Sequence, residues 1–283
     1  MEQTENSPAP LKVRASCHAK FVRRFKPQSM EAPYPAMKVL CRNFGNILPL
    51  AALALVSCGG GSSGGSQNNP GTGTPYAFIA PILNSMRTYS ETIVDNANNT
   101  IAISFSDTVM TVNADGTYVV LFQPSNPSVI VNGTNYGGPP ETQTYNTSGQ
   151  ETVDAYTSDS TAYTCNFDPH GTGPAFPVQV GMSWSLDYTY SCNGGAATSY
   201  MQSGTVSDVE SVTVPAGTFS AIKLQSTLTW TDGQGTTRTQ TITNWRDVAT
   251  SISVKQEFSV AYSGTLPTTG YAVSREILLE SIS

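Results

Sequence analysis

The part of this sequence after residue 75 predicts an all-β fold: a large curved antiparallel sheet or open half-barrel, with one short helix, and a two-sheet sandwich as the rival. Three observations carry that expectation. Apolar and polar residues alternate at period two in one run after another from Tyr76 onward. Turn signals of the Asp-Gly and Asn-Gly type separate the runs. No long window shows the 3.6-residue period of an amphipathic helix. About ten to twelve strands in one run favour a single curved sheet over a small sandwich.

The elements follow in order. The segment APILNSM, Ala80 to Met86, is the one place where a short helix is expected. Asn113-Ala114-Asp115-Gly116 lies between SFSDTVMTV and TYVVLFQ and predicts a hairpin. Asn132-Gly133 predicts another. Trp184, Leu186, Tyr188 and Tyr190 alternate toward Cys192 and the Asn193-Gly194-Gly195 turn. Ile222, Leu224, Leu228 and Trp230 share one face of a later strand, and Ile252, Val254, Phe258, Val260 and Tyr262 share one face of another. One-sided alternation means that each strand buries a single face. The Pro- and Gly-rich stretch from Asp168 to Gly181 predicts a long loop.

Composition narrows the function classes. Charged residues make up 12% of the chain and hydrophobic residues 39%, so the chain can support a core without a heavily charged surface. Charge is divided unevenly. Residues 1–57 hold 8 of the 14 Lys+Arg and 3 of the 20 Asp+Glu, which leaves 6 basic and 17 acidic residues after them, a net of -11. A domain of that charge has no basic stripe for phosphates, so no nucleic-acid partner is expected.

The basic leader reads as an address. In MKVLCRNFGNILPLAALALVSC, Lys38 and Arg42 precede an apolar run from Ile47 to Val56. Such a run is too short for the ~20 residues of a membrane span but suits a signal peptide. It ends in Leu55-Val56-Ser57-Cys58, which matches the lipobox of bacterial lipoproteins. Small residues beside the scissile bond admit the peptidase. The thiol of Cys58 becomes the thioether that carries lipid, and each buried methylene adds roughly 0.8 kcal/mol to the anchor. The GGGSSGGSQNNPGTGT stretch after Cys58 suits a tether with a mean reach of roughly 20–25 Å. Gly59, where an Asp would signal retention, points to the outer membrane. The expected organisation is a non-translated or unfolded extension over 1–36, with translation starting at Met37. A signal peptide follows over 37–57, the lipidated cysteine and tether over 58–75, and one β-domain over 76–283.

Five cysteines occur in the chain. Cys17 and Cys41 precede the cleavage site and Cys58 takes lipid, which leaves Cys165 and Cys192 as a pair in an oxidising compartment. A disulfide between them closes a loop worth about 3–4 kcal/mol by chain-entropy arguments, and would sit at the base of the Asp168–Gly181 loop. The alternative, a two-thiol metal or redox site, lacks CxxC spacing and has only His170 to join it.

One local pattern resembles a known group. Residues 204–223, GTVSDVESVTVPAGTFSAIK, are similar to a stretch in the TapB-like group of bacterial exported proteins, where a strand ends in V-P-A-G-T-F and the next begins at the Phe. Gly181-Met182-x-Trp184 and the Trp245 to Lys255 stretch fit the same unit, although Asp247-Val248-Ala249-Thr250-Ser251 replaces the usual Pro and Gly. The resemblance implies a relation to half-barrel lipoprotein folds such as LolA and LolB, in which a curved sheet cups an apolar ligand. Turn chemistry accounts for the motif by itself. Pro215 lacks an amide and stops the ladder, Gly217 permits positive φ, and Phe219 caps the core.

No catalytic constellation, metal set or cofactor motif is legible in the sequence. Gly61-Ser62-Ser63-Gly64-Gly65 spells G-x-S-x-G but lies in the tether, not between strand and helix. His170 reads as a loop histidine with no nucleophile to serve, and Asp168 as a turn residue before Pro169. Asp95 to Asn99 lacks the alternation of a calcium loop. Nothing selects two of the carboxylates as a glycosidase pair. No ligand-binding residue is legible. The expected role is a non-catalytic binding or carrier module, held to the membrane by its lipid, for an apolar ligand or an envelope protein. A structural or adhesin-like surface protein is the alternative.

Overall fold

The computed structural model describes residues 73–233, 235–266 and 270–283. The expected lipidation at Cys58, signal peptide and start at Met37 fall on residues outside the described ones. Among the described residues fourteen strands follow one another. The first seven are β1 (Met86–Asp95), β2 (Thr100–Val112), β3 (Tyr118–Pro124), β4 (Ile130–Val131), β5 (Thr134–Asn135), β6 (Glu141–Tyr145) and β7 (Glu151–Ser158). The rest are β8 (Thr161–Asp168), β9 (Ser183–Cys192), β10 (Thr198–Val214), β11 (Gly217–Thr231), β12 (Thr236–Asp247), β13 (Ser253–Gly264) and β14 (Ala272–Ile282).

Twelve of these strands form a closed antiparallel barrel, in the order β1-β14-β13-β12-β11-β10-β9-β8-β7-β6-β3-β2. The fold is therefore all-β, and the curved sheet expected from the sequence goes on to close. Closure comes from β1, which pairs with β2 on one side and with β14 on the other, from Arg87↔Ile282 to Asp95↔Ala272. Ile277 and Leu279 of β14 are buried, so the last strand completes the core as well as removing both sheet edges.

The expected hairpins form as their turn residues dictate. Asn113 N–H donates to the Thr117 carbonyl at 2.8 Å, and Gly116 takes φ 86°. Asn132 and Gly133 take φ 50° and 75° between β4 and β5, the positive-φ pair that a tight hairpin demands. The short helix over 80–86 does not form. Asn84 adopts φ 65° and Ser85 returns both its N–H and its hydroxyl to the Ile82 carbonyl, at 3.0 and 2.7 Å. These bonds close a turn and lead straight into β1.

The barrel has two distinct ends. At one, the hairpin end, β4 and β5 sit beside the 95–100 turn. There the Asp95 carboxylate accepts from Ala97 N, Asn99 N, Asn99 Nδ2 and Asn132 Nδ2 at 2.8–3.2 Å. At the other, the plugged end, residues 76–85 and the loop between β8 and β9 cross the opening.

The inward faces are filled by rings and by paired charges. Phe167, Tyr188, Tyr190, Tyr200 and Trp230 form a continuous series of ring contacts with centroids 4.7–6.5 Å apart. Arg87 Nε meets Asp107 Oδ1 at 2.5 Å, and Arg275 Nη1 meets Glu91 Oε1 at 3.1 Å. Burial works against the Arg87 charge and lifts Asp107, but their attraction outweighs it for Arg87 and holds the guanidinium protonated. Charges at inward positions of β1, β2 and β14 are thus tolerated because each has its countercharge on the neighbouring strand.

Candidate binding site at the plugged end of the barrel

The plug is built from two stretches of chain. Tyr76 and Val178 exchange backbone hydrogen bonds at 2.7 and 3.0 Å, which stitches the stretch ahead of β1 to the β8–β9 loop. The loop is tied to β7 and twice to β10 in the wall. Gly171 N donates to the Glu151 carbonyl at 2.6 Å, Gly173 N to Gln202 Oε1 at 3.1 Å, and Gly181 N to the Val206 carbonyl at 2.7 Å. Ile79 N donates to Ser251 Oγ at 3.1 Å on a further turn.

Two phenylalanines fill the opening. Phe78 is buried and meets Phe176 at 5.0 Å between ring centroids. Gly149 makes room for Phe78, since a Cβ there would lie 2.2 Å from its Cζ. Beneath both rings is the buried guanidinium of Arg246, 5.9 Å from Phe78 and 5.5 Å from Phe176, a distance at which ring faces attract a cation. Burial pushes the Arg246 pKa down to about 10, against the favourable influence of Tyr118, Tyr145 and Tyr89. The group stays charged at neutral pH.

A cavity of about 40 Å³ remains under the plug, lined by Trp184, Gln202, Leu224, Ser226, Ile242, Asn244 and Arg246 together with plug residues 172–174 and Phe176. The walls are apolar and polar in turn. Gln202 links plug and wall, accepting from Gly173 and donating to Ser226 Oγ at 3.1 Å. Asn244 accepts from the Ser253 hydroxyl at 2.6 Å, which leaves its NH2 as the donor end. The buried indole N–H of Trp184 has no partner among the described residues. A space of this size holds a few waters, at roughly 10–15 Å³ each on this measure; it does not hold an acyl chain.

A second buried group lies further along the interior. Glu151 is held far above the usual carboxylate range by burial, reinforced by Asp154 and Glu141. Burial also raises Asp154, to about 6, although Tyr190 donates to its Oδ2 at 3.1 Å. Burial shifts both carboxylates toward their neutral forms, as it does Asp107, but neither has a cation beside it among the described residues, as Asp107 has Arg87. On the outer wall a depression of about 470 Å³ is floored by Leu121, Thr142, Ala155 and Thr164.

The other residues singled out in the sequence are placed as follows. Cys165 and Cys192 form a disulfide, Cα–Cα 3.9 Å, opposite one another on β8 and β9. It lies on the hairpin side of the β8–β9 ladder, and not at the base of the loop, because Asp168 pairs with Thr189 beyond it. Pro215 and Ala216 make the two-residue turn between β10 and β11, with Gly217 at φ 137° and Ala216 N bonded to the Leu279 carbonyl at 3.1 Å. Phe219 is half-buried opposite Val212.

The Trp-to-Lys pattern resolves into a cross-strand triad. Lys223, Trp245 and Lys255 are register partners on β11, β12 and β13, with the two ammonium groups 5.0 and 5.2 Å from the indole. Trp245 Nε1 donates to Glu210, which also pairs with Lys223 at 3.2 Å. His170 lies in the plug with Nδ1 2.8 Å from the Gly171 carbonyl. Phe78, Phe176 and Arg246 were not singled out in the sequence. The one signal for them is a pair of phenylalanines within Pro-rich, strand-free stretches, where a large ring must find burial elsewhere.

No family model matches the chain, and no curated protein matches it. Three solved structures are similar to it at low identity. A protein from Parabacteroides distasonis described as a lipoprotein is 13% identical, with TM-score 0.42, over 75% of this chain and 100% of its own. A protein from Bacteroides fragilis described as exported, with a YmcC-like fold, is 10% identical, with TM-score 0.37, over 74% of this chain and 99% of its own. The hypothetical lipoprotein YmcC from Escherichia coli is 11% identical, with TM-score 0.37, over 71% of this chain and 85% of its own.

Proposed function

We propose that this chain is a bacterial outer-membrane lipoprotein, cleaved before Cys58 and lipidated there, whose barrel is a non-catalytic binding module working at its plugged end. The observation that supports it is the filled interior. What space remains lies beneath a plug that the chain on the Cys58 side helps to build, through Tyr76 and Phe78. A ligand held with the plug in place is small and polar. An apolar ligand of acyl-chain length enters only if Phe78 and Phe176 leave. The filled barrel also favours a second reading, a structural or adhesin-like domain that acts through its outer surface alone.

The test has two parts. Cells fed an alkyne fatty acid are expected to label the wild-type chain and not Cys58→Ala, and the variant is expected to leave the membrane fraction. Native mass spectrometry of the extracted lipoprotein separates the binding readings. A mass equal to the lipidated chain alone is expected, and a stoichiometric free lipid inside it would overturn the polar-ligand reading.

A further inference from the structure

Large apolar residues left exposed are concentrated at one place. Among the described residues ten are exposed, and seven of them lie on or beside the plugged end. Ile82, Leu83, Met86, Met110, Val112 and Ile282, 37–76% exposed, lie on the turn ahead of β1 and at the ends of β1, β2 and β14 that meet it. Backbone bonds hold it together. Asn84 N donates to the Val109 carbonyl at 2.9 Å and Val109 N to the Ser85 carbonyl at 3.0 Å, while Met86 and Ser283 exchange bonds at 2.9 Å. The Ile82–Leu83 turn is thereby fixed against the ends of β2 and β14. A bulge between Val109 and Thr111 accompanies the exposure of Met110.

Two features say what covers this rim. The chain on the Cys58 side runs into the same end of the barrel, at residues 73–85. The rim is also free of positive charge: residues 73–86, 108–118 and 280–283 contain no Lys or Arg, and only Asp115 and Glu280 as acids. A concentration of exposed apolar side chains at one end of a domain marks an interaction site, and a lipid-anchored domain meets lipid first.

We propose that this rim seats the plugged end of the barrel on the surface of the membrane that carries the anchor, by insertion of apolar side chains and without recourse to anionic headgroups. The inference rests on lipidation at Cys58. A tether of roughly 20–25 Å mean reach holds the rim at an effective concentration in the millimolar range, so weak docking is enough. Ile82 and Leu83, at the tip of a turn, enter first. The cavity beneath Phe78 and Phe176 then lies at the lipid side of the molecule and the hairpin end points away.

The experiment uses the mature lipoprotein purified from membranes and reconstituted into phosphatidylcholine vesicles. An environment-sensitive fluorophore is attached through Leu83→Cys or, as the hairpin-end control, Leu266→Cys. Brominated lipid is expected to quench the label at position 83 several-fold more than that at 266, equally at low and high salt, and no better with phosphatidylglycerol added. Ile82→Ser is expected to reduce quenching of a label placed through Met110→Cys, a variant pair that does not touch the core. Equal quenching at 83 and 266 on a chain whose mass shows lipid at Cys58 would overturn docking alone. A chain that carries no lipid overturns docking together with the anchor. Quenching that appears only with anionic lipid and vanishes with salt overturns the apolar mechanism.

Discussion

The two ends of the barrel are closed by different chemistry. At the hairpin end the closing pieces are held by polar bonds to one carboxylate: Asp95 takes four hydrogen bonds from the 97–99 turn and from Asn132, which keep it below the usual carboxylate range. Thr134 adds a bond to the Gly270 carbonyl at 2.5 Å. At the plugged end the closing pieces are two phenyl rings over a buried guanidinium, rimmed by exposed apolar residues. Polar closure is made of bonds that water can replace, so it suits a surface facing solvent. Apolar closure leaves greasy side chains at the rim of a domain that is otherwise acidic, which makes sense where something other than water covers them.

The largest effect is expected from Phe78→Ala. Truncating this buried ring removes the lid over Arg246, and phenylalanine-to-alanine changes in cores cost about 3–5 kcal/mol. Urea unfolding of the purified protein should show a loss of that order; a change under about 1 kcal/mol would mean that the plug is not part of the cooperative core. On the hairpin side, Cys165→Ala with Cys192→Ala opens a cross-link between residues 27 apart in sequence. The same denaturation should show a loss of roughly 2–4 kcal/mol, a smaller effect than that of the plug.

Acidity separates the carboxylates that burial raises from those that their hydrogen bonds lower. Asp154 has its pKa raised to about 6, and Glu151 moves in the same direction, so the folded chain keeps protons that the unfolded chain has released above pH 4. Their contribution therefore falls as pH rises from about 4 through about 6. Asp95, Asp115 and Glu210 are depressed by their hydrogen bonds, and their contribution is lost as pH falls below the ordinary carboxylate range near 4. Urea midpoints should peak near pH 5 and decline toward pH 8, and Asp154→Asn should flatten that decline. A midpoint that rises steadily to pH 8 contradicts the assignment. The smallest effect is local: Asp95→Asn should speed hydrogen exchange at Ala97, Asn99 and the β4–β5 hairpin while leaving the plugged end unchanged.

Strands and their turns are far more legible in the sequence than the plug, for a physical reason. Asn113 to Gly116 and Asn132-Gly133 carry their turn geometry in local backbone preference, and Trp184 to Tyr190 carry their burial in period-two alternation. Closure of the barrel was hidden because β1 and β2 place Arg87, Glu91 and Asp107 inward, which spoils the apolar alternation, and their partners lie up to 184 residues away. The plug reads only as a loop in the sequence, since it has no periodicity and its bonds reach β7, β10 and the turn before β13. Arg246 reads as one more surface charge after Trp245; only the fold turns its side chain under Phe78.

The proposal that the plugged end is the anchored, membrane-facing end is tested most directly by hydrogen exchange on the membrane-extracted protein in vesicles, before and after proteolytic release within the Gly/Ser stretch that follows Cys58. Release is expected to speed exchange over residues 76–86, 109–113 and 171–178 while the hairpin end, residues 125–140, stays as it was. Unchanged exchange at the plugged end, or a change confined to residues 125–140, would contradict it.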